Sequence, residues 1–173
     1  DGRVMLKHEE HQKVKAIIAE YHKQTKMSKL ARHYCSGDVE LSHYMDFDDV
    51  GVRVRPDVLN LEKGFIADVK SCQNSNPRVF KRDALNRNYH VQAAFYMDMI
   101  SMFYDTEITE FRFVACMTNP PYTVNVIALS KHYIEEGRLM YAAALSDWKD
   151  YVKNGIIHGP MWNDLHEDGS LII

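Results

Sequence analysis

Phe65-Ile66-Ala67-Asp68-Val69-Lys70 limits what this chain can fold into more than any other segment. Successive side chains of a strand alternate between faces, so Phe65, Ala67 and Val69 share one side and Ile66, Asp68 and Lys70 the other. Apolar residues on both sides mark a strand covered from both sides. A carboxylate and an ammonium buried there each cost several kcal/mol unless compensated. A solvated strand edge would explain the charges without any function, so the upstream sequence has to decide between the two.

Upstream, Val52 and Val54 point one way while Arg53, Arg55 and Asp57 alternate to the other. Pro56 ends that run and Leu61-Glu62-Lys63-Gly64 makes a turn. Pairing through this turn brings Asp57 towards Asp68. Two facing carboxylates repel unless a cation lies between them. Hard oxygen ligands of this kind select Mg²⁺, with Mn²⁺ able to substitute. Glu40, on the preceding strand, is available as a third carboxylate. Lys70 would then stand beside the metal, placed to orient or deprotonate an attacking water or to steady charge on a phosphate. Arg53 and Arg55 either meet that phosphate or pair with a carboxylate.

Periodicity sets the remaining elements. Leu6 to Tyr21 reads as a helix through Val14, Ile17, Ile18 and Tyr21, and Thr25 or Ser28 caps a second, short helix ending near Gly37. Val39–Phe47, Val50–Arg55 and Phe65–Cys72 read as an antiparallel meander. Val79 to Tyr104 returns to helical spacing, broken near Asn86. Two strands follow, Glu110–Met117 and Tyr122–Leu129, and then a helix from Lys131 to Val152 with Ile134, Leu139, Ala142 and Leu145 available for burial. Trp148 and Trp162 are expected to anchor the final helix and tail in the core. This order predicts an α/β fold, a central mixed sheet flanked by helices. With 173 residues and 46% apolar content, residues 1–173 are expected to form a single domain. Because the chain opens on Asp1 in helical sequence, a longer parent protein is expected.

The spacing is also similar to that of a known family. Arg55-Pro56-Asp57, ten intervening residues, then Asp68-Val69-Lys70 resembles the PD-(D/E)XK nuclease signature. Gln92-Ala93-Ala94-Phe95-Tyr96 fits the Q-x-x-x-Y motif of its RecB-like branch. Tyr89-His90-Val91-Gln92-Ala93-Ala94-Phe95-Tyr96 resembles RecE-type exonucleases, as does Val52-Arg53-Val54-Arg55-Pro56-Asp57. The likeness runs from about Tyr21 to Asp98. It implies a restriction-endonuclease-like core, Asp57, Asp68, the Val69 carbonyl and Glu40 as metal ligands, and Lys70 as the catalytic lysine. It implies that Gln92 and Tyr96, one helical turn apart with Tyr89 nearly alongside, support the site and meet DNA. It further implies 5′ to 3′ resection of double-stranded DNA ends, a single-strand annealing partner and a homo-oligomer. An endonuclease of the same chemistry, or a silent DNA-binding or scaffold module, are the alternatives. Family members also carry a histidine on an N-terminal helix. His8, His11 and His22 match by order alone, and the true one is expected upstream of Asp1.

Arg78, Lys81, Arg82 and Arg87 form a basic cluster that reads either as a phosphate-contacting strip or as a solvated helix face. A net charge of −3 argues against an architectural DNA binder coated in positive charge. The scattered Cys35, Cys72 and Cys116 suit neither a disulfide framework nor a zinc or iron–sulfur site, and free thiols fit a cytoplasmic setting. No apolar run approaches the ~20 residues of a membrane helix.

Overall fold

A computed structural model describes residues 7–155. Two helices open it, α1 (His8–Met27) and α2 (Lys29–Tyr34), the second capped by the Ser28 hydroxyl accepting from Ala31 N. Four strands follow: β1 (Asp38–Val39), β2 (His43–Phe47), β3 (Val50–Val54) and β4 (Val58–Asn60). Next come β5 (Phe65–Cys72), α3 (Pro77–Asn86), α4 (Tyr89–Tyr104), β6 (Glu110–Met117), β7 (Val124–Ala128) and α5 (Lys131–Asn154).

β5 lies at the centre of a five-stranded sheet of order β1-β4-β5-β6-β7. It pairs antiparallel with β4 and parallel with β6, so the sheet is mixed. Parallel strands cannot be joined by a tight turn, and the crossover from β5 to β6 carries α3 and α4. Asn76 starts α3 by accepting from Arg78 N, with Pro77 in the first turn where its missing N–H costs nothing. The fold is the α/β arrangement expected, a mixed sheet flanked by helices.

One face of the sheet presents Ile66, Phe113 and Ala115 to α3, α4 and α5, in a core with Phe80, Ala93, Ala94, Ile100 and Ile134. α5 approaches α4 closely at Gly137, where a methyl group would run into the His90 carbonyl. The opposite face carries a smaller cluster, Tyr34, Val58, Phe65, Ala67, Val114 and Cys116. There α1 is fastened by Gln24, whose amide accepts from Val124 N at 2.8 Å and donates to Tyr122 O at 3.3 Å. That side chain covers part of the outer edge of β7, which would otherwise be left unpaired.

Several expectations need correcting. The meander is not one sheet: β2 and β3 form a separate two-stranded sheet whose Val50, Val52 and Val54 pack into the larger core. β5 pairs instead with the short β4, which follows Pro56 and to which the sequence pattern assigns no element. The expected strand from Val39 to Phe47 is broken, with Glu40 at φ 56° between β1 and β2. α1 runs on to Met27, so Thr25 lies inside it, and it buries no residue; Val14 and Ile18 are exposed. On α5 the inward residues include Ile134 and Gly137, while Leu139 is 75% exposed, Ala142 is exposed and Trp148 is 52% exposed. Trp162 lies outside the described residues. No described helix is long and apolar enough to cross a membrane.

Candidate active site

β5 outlasts its neighbour. The β4 ladder, Asn60↔Phe65, Leu59↔Ile66 and Val58↔Ala67, ends before Asp68. Where the next strand bond would fall, the Asp57 carboxylate takes over: Val69 N donates to Asp57 Oδ2 at 2.7 Å. In a strand, one residue's N–H and C=O face the same edge, so the Val69 carbonyl faces the Asp57 side as well.

Asp68 turns the other way, into the space below α4, and is 3% exposed. Its Oδ1 accepts from Gln92 Nε2 at 2.8 Å, and its Oδ2 lies 2.8 Å from Lys70 Nζ. Lys70 Nζ in turn donates to Gln92 Oε1 at 3.0 Å, so the Gln92 amide bridges acid and ammonium. The Lys70 ammonium also stands 4.6 Å from the centre of the Tyr89 ring, a cation–π contact. Burial holds the Asp68 carboxyl above the usual carboxylate range, Lys70 and Gln92 pull it down, and the charge of Asp57 pushes it up. Oδ2 is buried, and the cation that meets it is the Lys70 ammonium.

The remaining expected residues divide. Glu40 is joined to Asp57 through its backbone, N–H to carbonyl at 3.3 Å. Its carboxylate, however, is paired with Arg55 Nε at 2.9 Å, near solvent. Of the two sequence readings for Arg55, pairing with a carboxylate is the one seen. Among the described residues no group of three or more acidic, histidine or cysteine side chains is assembled to hold a metal. Tyr96, a turn beyond Gln92, packs half-buried against the larger core beside Phe95. Of the histidines, His8, His11 and His22 are exposed on α1. On the same helix the Tyr21 hydroxyl meets Cys35 Sγ at 3.1 Å, and burial, then that thiol, push the phenol up.

The basic cluster is not one stripe. Arg78 and Lys81 line a groove beside Tyr133, with the Lys81 ammonium 4.9 Å from that ring. Arg82 lies outward, 4.0 Å from Asp83. Arg87 opens instead onto a cavity of about 360 Å³ that begins where β5 passes Lys70 and includes Tyr89. Gln73, Asp83 and Thr118, also in its wall, were not singled out from sequence. The available signal was topological: Gln73 and Thr118 sit just past the carboxyl ends of two adjacent parallel strands.

The chain matches the family described as a PDDEXK-like domain of unknown function (DUF3799) over residues 3–157, and it belongs to that family, within the PD-(D/E)XK nuclease superfamily. No curated protein matches it. Among solved structures, the "Putative exonuclease" of Eubacterium rectale superposes with a TM-score of 0.63 at 16% identity, over 85% of this chain. The chain spans 55% of that protein's length. At such identity the likeness concerns the fold.

Proposed function

We propose that this chain is a metal-dependent deoxyribonuclease that resects double-stranded DNA ends in the 5′ to 3′ direction, leaving 3′ single strands. The observation that carries the reading is the closed Asp68–Gln92–Lys70 triangle beside Asp57 at the unpaired end of β5. A buried acid held above its usual range, tied to an amine and lying next to a second acid, is a costly way to stabilise a strand. Such a cluster is a natural way to arrange chemistry.

Asp57, Asp68 and the Val69 carbonyl offer the hard oxygen donors that suit Mg²⁺, with Mn²⁺ able to substitute. Glu40 would join them only on leaving Arg55. When bound, the ion neutralises charge on a phosphodiester and acidifies water. Gln92 occupies Oδ1 of Asp68 and Lys70 meets Oδ2, so a bound ion would share Oδ2 with the ammonium. The same amide fixes Lys70, backed by Tyr89, with its ammonium towards the reacting centre. There it orients the attacking water and stabilises the charge gathering on the phosphate. Tyr96 supports α4 from the core side.

Arg78, Lys81, Arg82, Arg87 and Tyr89 are proposed to contact DNA. The RecE-like role, a cytoplasmic location, a single-strand annealing partner and homo-oligomerisation all rest on the Tyr89–Tyr96 and Val52–Asp57 resemblance. The test is digestion of linear duplex DNA in Mg²⁺, comparing 5′ and 3′ labels and a covalently closed circle, beside Lys70→Ala and Asp68→Ala. Early release of the 5′ label, an intact circle and two inactive variants are expected. Cutting of the circle would replace the reading with an endonuclease. Binding without cleavage would replace it with a silent DNA-binding module.

A further inference from the structure

The cavity beyond Lys70 lies at the carboxyl ends of β5 and β6, where open α/β sheets leave their binding crevice. Its volume of about 360 Å³ suits one small organic group rather than a stretch of duplex. Phe80, itself 2% exposed, forms the floor and Tyr89 a wall. The polar groups around them are of mixed kind. Arg87 only donates, Asp83 when ionised only accepts, and Gln73 and Thr118 do both.

That mixture separates two occupants. A phosphate site collects donors alone, and the Asp83 carboxylate opposes an anion. Its field is felt inside the cavity, where it adds to burial in pushing the Cys72 thiol up. A nucleobase presents donors and acceptors together on a flat apolar body, and it stacks on aromatic side chains at sequence-independent strength. The cavity therefore has the chemistry of a base site.

The surrounding backbone is pinned, so the space is part of the fold rather than a loose gap. Thr118 donates twice to the Cys72 carbonyl, from its N–H at 2.8 Å and its hydroxyl at 3.2 Å. On the other side, the Asn125 amide donates to the Ser75 carbonyl at 2.9 Å and its hydroxyl at 3.0 Å. The Ser75 and Thr123 hydroxyls meet at 2.7 Å. These bonds tie the segment after β5 to β6 and β7.

We propose that this cavity receives one unstacked nucleobase of the strand being cut, set against the Tyr89 ring that also carries the Lys70 ammonium. Tyr89 then links the seated base to the reacting phosphate, and the cavity sets how far a strand must separate before it is cut. Arg87 serves this base, whereas Arg78 and Lys81, on their separate groove, serve the backbone. The inference rests on the nuclease reading above.

The experiment uses the full chain with Mg²⁺ and linear duplexes carrying an abasic nucleotide at successive positions from the 5′ end. Cys72→Phe, which fills the cavity, is expected to slow cleavage of intact DNA by about tenfold, the scale of one base–aromatic stack. At one position, removing the base should restore its rate. Arg87→Ala, which leaves the cavity open, should raise KM for intact DNA and leave the abasic duplex at that position unaffected. If neither variant distinguishes intact from abasic DNA while the unmodified protein resects normally, the base site is overturned and the nuclease reading stands. If the unmodified protein cleaves nothing, both fall.

Discussion

Phe65–Ala67 and Asp68–Lys70 are consecutive stretches of one strand, yet they meet different neighbours. The first stretch has β4 on one side and β6 on the other, and its residues are 0–1% exposed. The second keeps β6 but has lost β4, and a side chain, Asp57, bonds the backbone where a strand should. In the first stretch both sides satisfy the peptide groups and both faces take apolar side chains. In the second, the missing neighbour opens one edge to Asp57, and Asp68, Lys70 and Gln92 converge on the face beneath α4. A strand that ends one neighbour early thus supplies rigidity and an opening within a few residues of each other. A site placed this way is held by the core without being sealed inside it.

Four substitutions test whether the two stretches of β5 are separable. The largest effect is expected from Lys70→Ala, with cleavage of linear duplex falling about a thousandfold, as loss of a group serving the nucleophile does. Its melting curve should remain cooperative. Retained cleavage would remove Lys70 from the chemistry and leave the second half of β5 as a structural ion pair.

Ile66→Ala should do the reverse. It deletes a fully buried side chain from the paired half and should lower stability by about 2–5 kcal/mol in denaturant unfolding, with cleavage per folded molecule retained. A loss of cleavage without loss of stability would mean that the two halves are not separable in this way.

Gln92→Leu should be intermediate, about 10–100-fold in rate, as for other residues that orient a reacting group. Gln92 lowers the Asp68 pKa, so its removal raises it further. The acid limb of the pH–rate profile should then move to higher pH. A profile that moves down, or stays, would count against the bridge.

Asp68→Asn should give the smallest effect on the fold, a melting temperature raised by a few degrees at neutral pH, although its loss of cleavage should match that of Lys70→Ala. The Asp68 pKa is raised on folding, so its contribution to stability is present below the unfolded carboxylate range and is lost as pH rises through the folded value. The advantage of Asn should therefore be greatest at neutral pH and disappear in acid. A variant less stable than the parent at neutral pH would show that Lys70 and Gln92 more than compensate the burial of this charge.

Much of this was open to sequence reading because it depends on short-range order. Alternation along Phe65–Lys70 separates Asp68 from Val69 and keeps Lys70 on the Asp68 side. Helical spacing puts Tyr89 and Gln92 on one side of α4, and the structure brings both to Lys70. Glu40 was harder. Its position near Asp57 followed from chain order, but its carboxylate had a choice between the site and Arg55 two strands on, and no local pattern decides that. α5 shows the same limit in the core. Leu139 and Trp148 are apolar enough to be buried, but the face of α5 turned inward carries Ile134 and Gly137, the latter so close to the His90 carbonyl of α4 that a side chain would not fit.

Local order in the sequence carries the α/β succession of elements, the face that each residue of β5 takes and the spacing that puts Tyr89 and Gln92 on one side of α4. All of these follow from the covalent geometry of strands and helices. Long-range packing settles that β2 and β3 leave the sheet, that β4 stops short of Asp68, that Gln92 meets Lys70 and that the basic cluster splits around α3. Each of these depends on which distant surface packs against a segment, and that choice belongs to the whole fold rather than to the segment's own residues.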